Sequence, residues 1–74
     1  MPKKFLVVAE LPDFWFEEFE YVCSKWFNSW HQALTYARQQ DAKGLCVTMY
    51  YNRREYCFDA GDNPANIWQY FVQE

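Results

Sequence analysis

FWFEEFEYVCSKWF, residues 14–27, is the stretch on which the fold turns. Phe16, Phe19, Cys23, Trp26 and Trp30 recur at spacings of 3-4-3-4, the stripe of an amphipathic helix, and Asp13 stands where an N-cap would. The same residues also read as a strand folding back on KFLVVAEL, residues 4–11. That register pairs Phe5 with Tyr21, Val7 with Phe19 and Leu11 with Trp15. It gathers Phe5, Val7, Leu11, Trp15, Phe19, Tyr21 and Cys23 on one face and leaves Glu18 and Glu20 opposite Val8 and Leu6 on the other. The aromatic and β-branched content favours strand; the helix stands as the alternative. Leu11-Pro12-Asp13 reads as the end of the first strand, because Pro cannot donate in a ladder.

Outward from this stretch the signals are clearer. SWHQALTYARQQ, residues 29–40, opens on the capping box Ser29-x-x-Gln32. Trp30, Ala33, Leu34 and Ala37 follow at i, i+3, i+4 and i+7, the buried stripe of a helix that Gly44 stops. LCVTMYY (45–51) and YCFD (56–59) form a hairpin about Asn52–Glu55. Pairing Tyr51 with Tyr56 and Met49 with Phe58 puts Leu45, Val47, Met49, Tyr51, Tyr56 and Phe58 on one face. Cys46, Thr48, Tyr50, Cys57 and Asp59 take the other. A two-residue loop keeps the same faces as a four-residue loop, because the shift is even. Asp59–Asn63 is a turn, and Asn63-Pro64 starts a short last helix whose apolar side is Ile67, Trp68, Phe71 and Val72. The expected fold is α+β, one domain over residues 1–74. It is an antiparallel sheet with a main helix across one face, in the order ββαββα.

Composition excludes several classes. Phe, Trp and Tyr make up 23% of the chain, too many for disorder. No apolar run approaches the roughly 20 residues of a membrane span. Lys3-Lys4 lead into only five apolar residues before Glu10, which does not read as a signal peptide and points to the cytoplasm. The net charge is −3, so a whole-molecule field that attracts nucleic acid is not expected. Glu10, Asp13, Glu17, Glu18 and Glu20 fall in an eleven-residue segment without a base. Cys23, Cys46 and Cys57 have no CxxC spacing and only His31 to help them, so no zinc site is expected. In a reducing compartment each reads as a small core residue. No phosphate-cradling loop and no nucleophile–base spacing occurs. The expectation is therefore no enzyme, no metal and no cofactor.

Two surfaces remain. The chain holds more large apolar residues than one helix on a sheet can absorb. Leu6, Val8, Phe16, Val22 and Tyr50, with Trp26 near the edge, fall on the second sheet face. Either the last helix covers that face, or a partner or a second copy does. Arg53 and Arg54 at the hairpin tip lie beside Tyr50, Tyr51 and Tyr56, a composition suited to protein interfaces and to stacking on single-stranded bases. The candidate partner-binding residues are therefore Asp13, Trp15, Glu17, Glu18, Glu20, Tyr50, Arg53 and Arg54. Tyr21-Val22-Cys23-Ser24, then Phe27-x-Ser29-Trp30-x-x-Ala33-Leu34-x-Tyr36-Ala37-Arg38, followed by a hairpin, resembles in layout many small phage and prophage proteins. Among these are short anti-CRISPR proteins and the T7 inhibitor of bacterial RNA polymerase. The resemblance implies a non-catalytic inhibitor that blocks a host protein or ribonucleoprotein complex handling nucleic acid. A homodimer through the open sheet face and direct binding of single-stranded nucleic acid are the alternatives.

Overall fold

The computed structural model of the chain describes residues 4–13 and 18–73, apart from the side chains of Asp13 and Phe19. The elements are β1 Phe5–Asp13, β2 Glu18–Phe27, α1 Trp30–Ala42, β3 Cys46–Tyr51, β4 Arg54–Phe58 and α2 Pro64–Val72. The fold is α+β in the order ββαββα. The strands form one antiparallel sheet in the order β2-β1-β3-β4.

The ambiguous stretch is strand from Glu18 to Phe27, so the helical alternative falls there; residues 14–17 lie outside the described residues. Its register differs from the expected one. Phe5 faces Phe27, not Tyr21, and Val7 faces Lys25, not Phe19. The longer pairing lets every residue of a ten-residue strand join β1, which a short loop after Leu11 would forbid. Pro12 continues β1 instead of ending it. It lies past Glu10, the last residue of β1 that β3 reaches, and a strand with one neighbour tolerates a missing N–H.

A second difference is a bulge. Ala9 faces Cys23 and Glu10 faces Tyr21, so Val22 is the extra residue. One inserted residue inverts the alternation beyond it. Tyr21 therefore leaves the core side for the opposite face, where its hydroxyl pairs with that of Ser24 at 2.9 Å. Glu18 and Glu20, expected off the core face, turn to the side that carries the helices, and both are exposed.

α1 follows its sequence signals closely. The Ser29 hydroxyl accepts from the Gln32 N–H at its start. At its end the Leu45 N–H reaches the Gln40 carbonyl and the Gly44 N–H reaches that of Asp41. This is a Schellman closure, with Gly44 at φ 83°. Ala33, Leu34, Ala37 and Gln40 are buried, while Trp30 is only partly covered. Gln40 extends the stripe with a polar group. Its Oε1 accepts from the Cys23 thiol at 3.8 Å, and Tyr36 donates its hydroxyl to the same sulfur at 3.2 Å. That bond, then burial, pushes the Tyr36 phenol up to about 12.

The β3–β4 hairpin has a two-residue loop. Tyr51 pairs with Arg54 and Met49 with Tyr56, two positions away from the expected register and with the same faces inward. Asn52 and Arg53 both have positive φ, 53° and 63°, the geometry of a type I′ turn. Asn52 donates to the Phe71 carbonyl at 2.9 Å, and Arg54 to that of Tyr70 at 2.7 Å. The turn thus satisfies the last carbonyls of α2, which no glycine closes. At the other end Asn63 accepts from the Ala65 N–H, with Pro64 in the first turn.

Both helices pack on the same sheet face. Phe5, Val7, Ala9, Val47, Met49 and Phe58 meet Ala33, Leu34 and Ala37 of α1 and Ile67 and Phe71 of α2. Aromatic rings close the seam between the helices. Trp30 and Trp68 have centroids 5.5 Å apart, and Phe5 stacks on Tyr51 at 4.1 Å. Phe71 meets Trp30, Tyr51 and Tyr56 edge-on. The last helix therefore does not cover the second face of the sheet.

Candidate functional site

The uncovered face is built in transverse rungs, set by the pairing. The first runs Trp26, Leu6, Tyr50, Glu55 across all four strands. The second runs Ser24, Val8, Thr48, Cys57. The third carries Tyr21, Glu10 and Cys46. Trp26 is 60% exposed and Tyr21 61% exposed; Val22 and Tyr50 are also open to solvent. Leu6 and Val8 lie between them, half-buried. Scattered exposed apolar residues are ordinary, but a contiguous group on one flat face is the mark of an interaction surface.

Charge on this face has one sign. Among the described residues its strands contribute Glu10 and Glu55 and neither Lys nor Arg. Lys25 points to the other side, its Nζ 5.5 Å from the Phe27 ring. Tyr50 sits among these groups. Burial raises its phenol above the usual tyrosine range, and the carboxylates of Glu55 and Glu10 add to the shift.

The candidate residues named by the sequence do not form one site. Trp15 and Glu17 lie outside the described residues, as does the Asp13 side chain. The backbone of Asp13 pairs with Glu18, and Leu11 pairs with Glu20, in a two-stranded ribbon beyond the reach of β3. Tyr50 pairs with Leu6, toward the other end of β1. Seven residues of strand separate Leu6 from Asp13, about 23 Å at the usual rise. Arg53 and Arg54 belong to the Tyr50 end. Arg53 is exposed, whereas Arg54 is drawn to α2, where its guanidinium also lies 5.8 Å from the Tyr70 ring. Tyr21, Glu10 and Glu55 were not singled out as contacts. For Tyr21 no signal was there to find, since the bulge that turns it outward has no glycine to mark it.

Cys46 and Cys57 are exposed on this face and are not core residues; only Cys23 is half-buried. The alternation of the hairpin had already placed both on the second face, and that face is open. They line a cleft of about 430 Å3 with Glu10, Asp41, Thr48 and Asp59. No group of three or more His, Cys, Asp or Glu among the described residues is arranged to hold a metal. His31 is exposed in the first turn of α1, about 15 Å along the helix from Asp41. No helix among the described residues is long and apolar enough to cross a membrane. Compared with protein-family models, curated proteins and solved structures, the chain matches none.

Proposed function

We propose that this chain is a non-catalytic protein-binding module that acts by covering a surface of a larger partner. The observation that carries the reading is the free sheet face. Two helices crowd one side, and Trp26, Leu6, Val8, Val22 and Tyr50 stay uncovered on the other. Trp and Tyr are the side chains that most often anchor interfaces. A host complex that handles nucleic acid suits the acidic character of the face, because such machines present basic grooves. The layout resemblance to short phage inhibitors points the same way, and a cytoplasmic setting would keep the three thiols reduced.

The nucleic-acid alternative is weaker on this geometry. Glu10 and Glu55 would repel phosphate, Arg54 is engaged with α2, and Arg53 alone stands free at the turn. Affinity capture from bacterial extract tests the proposal. The parent chain should retain a defined protein that the Trp26→Ser/Tyr50→Ser double variant loses. Equal capture by both would mean that the open face is not the binding surface.

A further inference from the structure

We propose that the open sheet face receives an amphipathic helix of a partner protein. Its apolar side would meet Leu6, Val8, Trp26 and Tyr50, and its basic flanks Glu10 and Glu55. This rests on the docking role argued above and adds the chemistry of the occupant.

Size argues for a helix. The apolar part of the first rung, Trp26–Leu6–Tyr50, spans three strands, about 10 Å at the usual strand spacing. That is the diameter of one helix with its side chains, about 10–12 Å. The opposite face already carries a helix on these same strands: α1 packs over β1, β3 and β2.

Charge argues for a basic partner. Glu55 closes the first rung on the β4 side, and Glu10 stands one rung beyond Val8. A second copy would bring two more carboxylates to the seam and no strand-borne base to meet them. Unpaired charges buried in this way cost several kcal/mol. Nucleic acid and an anionic lipid surface meet the same repulsion. A helix with lysines or arginines flanking a leucine-type stripe is the occupant that satisfies both the apolar centre and its acidic margin.

The probe is an 18-residue amphipathic peptide of leucines and lysines, with a leucine–glutamate peptide of the same pattern as control. Each is titrated into the isotope-labelled chain while the backbone amides are followed by NMR. The lysine peptide should perturb Leu6, Val8, Trp26, Thr48 and Tyr50, and the glutamate peptide should not. Trp26→Ser should weaken binding at least tenfold with the amide dispersion intact. Glu10→Lys/Glu55→Lys should reverse the preference between the peptides. Perturbation confined to Glu18 and Glu20 or to the helices, or a reversal variant that still prefers lysine, would overturn the inference. If the glutamate peptide instead bound this face in the parent chain, the basic partner would be wrong and the docking face would stand. If neither peptide touched the face and capture were equally blind to it, both would fall.

Discussion

At the scale of single residues, two positions with positive φ respond in opposite directions. Arg53 holds φ 63° in the β3–β4 turn, a conformation that costs an L-residue about 1–2 kcal/mol. Arg53→Gly removes that cost, less the extra freedom that glycine gives the unfolded chain. Urea unfolding should therefore show a gain of about 0.5–1 kcal/mol. Gly44 has φ 83°, and a Cβ there would meet nothing within 4 Å. Gly44→Ala should thus lose about 1 kcal/mol from backbone conformation alone. No change in either variant would place the turn or the helix end in another geometry. Gly44 was legible as a stop signal. The strained Arg53 was not, because Asn-Arg is not a glycine-bearing hairpin pair and nothing in its composition demands two residues instead of four.

At the scale of elements, α1 and α2 are held by different means. Leu34 lies buried in the centre of α1. Truncating it to Ala should cost about 2–5 kcal/mol, close to the 3–5 kcal/mol that a domain this small has in hand. Leu34→Ala should give a largely unfolded far-UV spectrum; a melt within a few degrees of the parent would show the stripe misassigned. The loop before α2 is tied by the Tyr56 hydroxyl, which donates to Asp62. That bond, with burial, pushes the phenol up to about 12, against about 10 in the unfolded chain. A phenol raised on folding contributes stability that is whole below pH 10 and lost as the pH climbs toward 12. Tyr36 adds to the same loss. Denaturation at pH 9, 10 and 11 should show stability falling, and Tyr56→Phe should fall less steeply. Parallel slopes would contradict the bond.

The elements themselves were largely readable, because caps and apolar spacing are local. Ser29, Gln32, Asn63 and Pro64 marked both helix starts. The pairing of β1 with β2 was not readable. Both strands are rich in aromatic and aliphatic residues, so several registers bury comparable surface, and the bulge at Val22 leaves no local mark.

At the scale of the whole molecule, the acidic ribbon and the open face separate. Glu18 and Glu20 project from one end, turned to the helix side, while Trp26 and Tyr50 share a rung near the other. Charges at a margin speed encounter more than they hold a complex. Glu18→Lys/Glu20→Lys should therefore slow association a few-fold and reduce its salt dependence, with dissociation little changed. Stopped-flow measurements on a captured partner at two salt concentrations would show this. A collapse of affinity would instead place the interface on the ribbon. The sequence pointed to the second sheet face and could not say what lay over it. That depended on which side α2 took, a choice made by the contacts of Trp68 and Phe71 with Phe5, Trp30 and Tyr51.

Everything proposed for function depends on that choice, and one measurement reaches it directly. A soluble gadolinium agent broadens the NMR signals of side chains it can approach. In the free chain, the side-chain protons of Trp26, Leu6, Val8 and Tyr50 should relax strongly. Those of Val7, Met49, Ile67 and Phe71 should stay protected. Protection of Trp26, Leu6, Val8 and Tyr50 as complete as that of Phe71 would mean that the face is already covered, by α2 or by a second copy, and would contradict the account.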